Sequence, residues 1–142
     1  MAEAATEVST HHARVVWKGG REDLQAHEIE LADQTVAASA ADVLGGDGSK
    51  ADPEEMLVAA LSSCHMLWFL ALARKRRLRV TSYEDEAEGT MDGTRFTRVA
   101  LHPRVEFENE VGQETIDELH HESHERCFIA NSVNCPVEVE PA

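Results

Sequence analysis

Between residues 52 and 77 the chain reads DPEEMLVAALSSCHMLWFLALARKRR, in which Leu57, Leu61, Cys64 and Trp68 are spaced by four, three and four while Met56, Ala60, Ser63 and Leu67 run beside them. That period predicts a helix with a broad buried face, reaching about Arg77. Its start is marked by Asp52 as N-cap, by Pro53 at the first helical position, where a missing N–H costs nothing, and by Glu55 at the third, completing a capping box. Arg74, Lys75, Arg76, Arg77 and Arg79 gather at the far end, where cations complement the macrodipole, and read as solvated helix-end charge. Upstream, HHARVVWKGG, QAHEIELA and QTVAASA are β-forming segments that predict an antiparallel meander, the last two turning at Asp33-Gln34. ADVLGGDGSKAD, residues 41–52, is loop chemistry. Downstream, LRVTSYEDEAEGTM and RFTRVALHPRVEFE read as two paired strands around Asp92-Gly93. A second helix is predicted from Gln113 to Arg126, with Ile116, Leu119 and Cys127 inward, and NCPVEVEP closes the chain as a short strand. The order βββ-α-ββ-α-β, with a long central helix, predicts an α+β fold.

A length of 142 residues suits one hydrophobic core, so a single domain over residues 1–142 is expected, with a loose tail over residues 1–10. No apolar run approaches the roughly 18 residues of a membrane span, and the acidic start lacks a basic n-region and an apolar h-region. A soluble, cytoplasmic protein is the expectation. The formal charge of −14 repels phosphate backbones and anionic membrane surfaces, which argues against nucleic-acid and membrane partners. Three cysteines leave at least one unpaired, so free thiols are expected rather than a disulfide framework.

A cysteine thiol with a pKa near 8.5 becomes a good nucleophile at neutral pH only beside a cation that favours the thiolate. Arg21 follows Gly19-Gly20, where a flexible turn lets a guanidinium reach inward, and Glu54 could orient that guanidinium through a bidentate pair. The plainer reading of Arg21 is a surface turn residue paired with Glu22 or Asp23, and that of Glu54 is a first-turn acid favouring the helix dipole. Ten residues of continuous helix put Glu54 and Cys64 roughly 15 Å apart. Either the helix breaks near Ser62-Ser63, or the glutamate and thiol that cooperate come from different subunits. His65 points about 100° away from Cys64 and reads as packed or at the rim rather than as its base.

With these residues in view, DPEEMLVAALSSCHMLWFLALA resembles the central-helix motif of the OsmC/Ohr family of thiol-dependent peroxidases, GGR resembles the glycine–arginine turn of its organic-hydroperoxide-resistance branch, and HHESHERCFIANSV is similar to its second-cysteine segment. The resemblance implies an intertwined α+β homodimer that reduces organic hydroperoxides to alcohols. It makes Cys64 the peroxidatic thiol, Cys127 the resolving one, Arg21 the activating cation and Glu54 its partner acid. It also implies no bound cofactor or metal, and an external dithiol reductant of lipoyl type. Phe128 follows Cys127 where many members carry proline, and the Cys-Pro step of this chain is Cys135-Pro136; the ANSV context favours Cys127 over Cys135 as the resolving thiol.

The residues also admit two other functions. One is a non-enzymatic small-molecule binding protein of the same fold, with an apolar cleft beside Met66, Trp68 and Phe69, although such residues are more often core. The other is a metal-binding protein using His120 or His121 with His124 and Cys127, which share helical faces but lack a fourth ligand and a CxxC pair.

Overall fold

The computed structural model describes residues 7–142, and the chain gathers into two compact units, Met1–Leu57 and Val58–Ala142. Most of the tail expected over residues 1–10 lies outside the described residues; Val8, Ser9 and Thr10 are exposed and belong to no helix or strand.

In the first unit β1 (Arg14–Trp17), β2 (His27–Leu31) and β3 (Gln34–Ala38) form the expected antiparallel meander, in the order β1-β2-β3. Val15 opposes Ile29, and Ile29 opposes Val36, so the β-branched positions share a register. The turn between β2 and β3 falls on Ala32-Asp33, one residue before the predicted Asp33-Gln34, with Ala32 in the left-handed region at φ 53°. After a short 3-10 turn at Asp42–Leu44 the chain returns beside β3, where Ser39 N donates to Ala51 O at 2.9 Å and Ala51 N to Ala37 O at 3.2 Å. The loop is thereby delivered to the start of α1 (Pro53–Lys75). There the predicted capping box is complete: Glu55 N donates to Asp52 Oδ1 at 2.7 Å, and Asp52 N donates to Glu55 Oε1 at 3.0 Å.

α1 continues unbroken into the second unit and stops at Lys75, two residues short of the expected Arg77. Arg77 takes φ 60° and Leu78 N donates back to Ala73 O, a six-to-one bond that satisfies an end carbonyl. The buried stripe is Leu61, His65, Trp68, Phe69, Leu72 and Ala73. Of the second row predicted to face inward, Ser63 and Leu67 are exposed. The stripe is centred on His65 rather than on Cys64, because Trp68, Phe69, Leu72 and Ala73 pack with Leu119 of the second helix as the core, and Cys64 lies at its edge.

The two long segments after α1 are each two strands: β4 (Val80–Asp85) and β5 (Glu88–Asp92), then β6 (Arg95–Leu101) and β7 (Pro103–Phe107). The predicted hairpin forms at Gly93, with φ 66°, but both arms break at the same level, so β4 pairs with β7 and β5 with β6 in separate sheets. The break has an identifiable cause. Pro103 offers no N–H to a ladder, and His102 N turns instead to Asp85 Oδ1 at 2.6 Å, while Asp85 Oδ2 accepts Ser62 Oγ of α1 at 2.5 Å. α2 (Gln113–Arg126) has the predicted bounds, and the final strand β8 (Val137–Val139) lies parallel to β6. The architecture is the expected α+β, with four strands rather than two between the helices.

The expectation about apolar runs needs correction. An 18-residue window of α1 has mean hydropathy 1.9, so by length and composition this helix could cross a membrane; a third of that window is buried within the chain. The apolar run escapes a simple reading because Ser62, Ser63, Cys64 and His65 interrupt it without adding charge.

Gly89 sits where α1 backs the β5–β6 pair. An added Cβ would stand 2.6 Å from Phe96 Cε1 and 2.7 Å from Val58 Cγ2. Gly89→Ala should therefore destabilise by about 1–3 kcal/mol through overpacking, read as a lower urea midpoint with unchanged slope.

Candidate active site

Cys64 occupies the middle of α1, half-buried, and packs against the core formed by Trp68, Phe69, Leu72, Ala73 and Leu119. α2 brings Cys127 to it. Ile116, Leu119, His120, Ser123 and Cys127 follow steps of three, one, three and four, one face of a helix whose last member is the C-cap. Leu119, His120, Ser123 and Cys127 are all buried. Burial pushes the Cys127 thiol up to about 11, opposed by the N–H of Ala130, which reaches its sulfur at 3.4 Å, and reinforced by the neighbouring Cys64 sulfur. Cys127 is thus a protonated thiol at neutral pH with a donor already aimed at its sulfur. The turn supplying that donor, Ala130–Ser132, is pinned by its own side chains: Asn131 Nδ2 donates to Glu125 O at 3.1 Å and Ser132 Oγ to Phe128 O at 2.7 Å. Cys135 is half-buried and precedes Pro136, whose carbonyl accepts Val99 N at the β6–β8 edge.

Arg21 and Glu54 lie in the first unit. Arg21 is exposed, on a turn that is itself firmly held: Trp17 Nε1 donates to Leu24 O at 2.7 Å and Gly20 N to Asp23 O at 3.1 Å. The Trp17 indole fills the space a Cβ on Gly19 would need, so this turn requires glycine there. Asp23 does not pair with Arg21. Its carboxylate accepts Ser39 Oγ at 3.0 Å and Gln25 N at 2.9 Å and lies 3.7 Å from Lys50 Nζ. Glu54 Oε2 is buried and has no hydrogen-bond partner among the described residues, and no ion pair joins Glu54 to Arg21 there. Because α1 is unbroken, the alternative of a helix break near Ser62-Ser63 falls away.

Sequence reasoning missed a second titratable pair beside the thiols. His65 and His120 are both buried, and His65 Nε2 lies 3.0 Å from His120 Nδ1. Burial holds His65 down at about 4, helped by the nearness of His120 and His124. Burial likewise holds His120 at about 4, against the pull of Asp117 and Asp85. The LHHESHERC segment is therefore not simply a polar, partly exposed face: His120 belongs to the same stripe as Leu119, Ser123 and Cys127, the signal that could have marked it inward. His120 also lines a cavity of about 300 Å³ with Asp117, His121, His124, Val139 and Pro141. Among the described residues no three His, Cys, Asp or Glu side chains are grouped to hold a metal ion. Trp68 and Phe69, the candidate cleft residues, are core; Trp68 meets Phe128 edge-on at 5.4 Å and carries the Arg126 guanidinium 5.6 Å above its ring.

Comparison with known proteins identifies the family and the fold. The chain matches the family described as OsmC-like protein over residues 46–142. It is similar to the structure of an OsmC-like protein of unknown function from Vibrio cholerae O1 biovar eltor, with 36% identity, a TM-score of 0.85 and coverage of 95% of this chain and 100% of that one. An organic hydroperoxide resistance protein OsmC from Legionella pneumophila shares the fold, with a TM-score of 0.70 at 21% identity, over 96% of this chain and 97% of that one. The uncharacterized protein YmaD of Bacillus subtilis is 22% identical over 94% of this chain and 93% of its own length.

Proposed function

The chain belongs to the OsmC-like family, and we propose that it is a thiol-dependent peroxidase that reduces organic hydroperoxides to alcohols. The observation that carries this reading is the half-buried Cys64 at the middle of α1 with the buried, protonated Cys127 as its neighbour. The Cys64 thiolate attacks the distal peroxide oxygen; an S–O bond forms, the O–O bond breaks, and the alkoxide leaves as alcohol after taking a proton. Cys127 then attacks the resulting sulfenic sulfur, forming the disulfide and releasing its thiol proton and the hydroxyl as water. An external dithiol restores both thiols by exchange. The raised pKa of Cys127 suits this order, since it stays an unreactive thiol until the sulfenic acid is beside it.

Arg21 is the cation that favours the Cys64 thiolate in this reading, and Glu54 orients it. The orphaned Glu54 Oε2 supports a partner that a single chain does not supply, as does an α1 of mean hydropathy 1.9 with only a third of its window buried. We therefore propose that the protein acts as a homodimer in which the guanidinium and carboxylate meet across subunits, in the reducing cytoplasm and without nucleic-acid partners. Sedimentation at micromolar concentration should give twice the chain mass of 15.7 kDa; a compact monomer would sink the two-subunit relay.

The deciding test is one equivalent of cumene hydroperoxide added to reduced protein, followed by peptide mass mapping without reduction. A disulfide joining the Cys64 and Cys127 peptides, with Cys135 still alkylatable, is the expected product. A Cys64–Cys135 link would reassign the resolving thiol, and unmodified Cys64 would overturn the peroxidase reading.

A further inference from the structure

We propose that His65 and His120 form a latch that positions Cys127 for its attack on oxidised Cys64, an inference that rests on the roles given to the two thiols above. The ring planes lie within 7° of each other, the centroids are 5.3 Å apart and the facing nitrogens are 3.0 Å apart. A centroid separation that equals the nitrogen–nitrogen distance plus the two ring radii puts the imidazoles edge to edge in nearly one plane, not face to face. One N–H then points straight at the other ring's lone pair, a directional bond between two neutral tautomers.

Its placement gives the bond its consequence. His65 follows Cys64 on α1, and His120 precedes Cys127 by seven residues, close to two helical turns, so it shares that thiol's face of α2. A helix pair held only by apolar contacts can slide or roll by a fraction of a residue at little expense. Breaking this bond would instead leave two buried nitrogens unsatisfied, in addition to His65 Nδ1, which already has no partner among the described residues. Phe69 braces the latch, with its ring 4.5 Å from that of His120, and Trp68 receives Phe128 and Arg126 from the two residues flanking Cys127. The tolerance being protected is limited: a disulfide takes Cα atoms about 4.4–6.8 Å apart, and a one-residue slip of α2 would swing Cys127 by about 100°. Attack of Cys64 on the peroxide precedes any reaction of Cys127, so the latch acts on the second step. His65 and His120 are positioning residues that never touch the peroxide.

Rapid-quench measurement on the full-length protein separates the steps, using one equivalent of cumene hydroperoxide, a sulfenic-acid trap for Cys64 and intact mass for the disulfide. In His120→Leu, Cys64 oxidation should keep its wild-type rate while disulfide closure slows at least tenfold and sulfinic acid accumulates. His120→Asn, whose amide occupies the Nδ1 position, should restore closure to within about threefold. His120→Gln, of similar polarity but with its amide one atom further out, should not, and it carries the test if the leucine variant fails to fold. Closure at the wild-type rate in a folded Leu or Gln variant overturns the latch. A wild type in which peroxide leaves Cys64 a free thiol, with neither sulfenic acid nor disulfide formed, overturns the peroxidase reading itself, and the latch with it.

Discussion

Cys64→Ser is expected to reduce hydroperoxide consumption to the uncatalysed background while the protein remains folded. The exchange is nearly isosteric at a half-buried position on the edge of the core but trades a thiol for a more polar hydroxyl, so its stability effect should be about 0.5–3 kcal/mol. The chemistry has no such tolerance, because a neutral serine hydroxyl is neither ionised near neutral pH nor soft enough to attack a peroxide oxygen, and only the thiolate enters the oxidation ladder. Cys127 cannot substitute: burial holds it as a thiol up to about 11. The measurement is cumene hydroperoxide loss in the presence of a dithiol, with a urea melt on the same preparation. Undiminished consumption by a folded variant would remove Cys64 from the reaction and leave the family fold without the proposed activity. Cys127→Ser should behave differently, completing the first oxidation and then drifting to sulfinic acid.

Local chemistry explains which parts of this molecule could be read from its sequence. The capping box at Asp52–Glu55, the bounds of α2 and the turn at Gly93 are all set by residues within a few positions of one another. The break between β4 and β5 was not readable, because it depends on Asp85 capturing His102 N across 17 residues. The stripe of α1 shifted by one residue for a similar reason. Cys64 and His65 are equally plausible inward positions until α2 presents His120 to one and Cys127 to the other. The juxtaposition of Cys64 and Cys127 itself came from resemblance, since no spacing rule brings residues 63 apart together. Arg21 and Glu54 illustrate a different limit. Each is placed by well-formed local structure, the Asp23-anchored turn and the first turn of α1, yet the partner that would make either one catalytic is not determined by local structure at all.

Acid should weaken the fold through the same histidine pair. In the unfolded chain both imidazoles take up protons near 6.5, whereas in the folded chain burial holds each at about 4. Between those values the unfolded state binds more protons, so the contribution of the pair is full above pH 6.5 and is lost as pH falls toward and through 4. At about 1.4 kcal/mol for each tenfold change in proton affinity, each ring contributes roughly 3 kcal/mol, and because the unfolded chain takes up both protons the pair contributes about 6 kcal/mol. A matched control isolates the histidines. The double variant His65→Gln, His120→Asn places amides at the two bonded nitrogen positions, keeps a hydrogen bond available and cannot titrate. Urea unfolding from pH 7.5 down to 4 should give a wild-type stability that falls by about 6 kcal/mol more than that of the double variant, with most of the divergence below pH 6.5. Parallel curves would mean that the two rings stay solvated enough to protonate at their ordinary pKa, and the buried pair would not be a feature of the folded protein in solution.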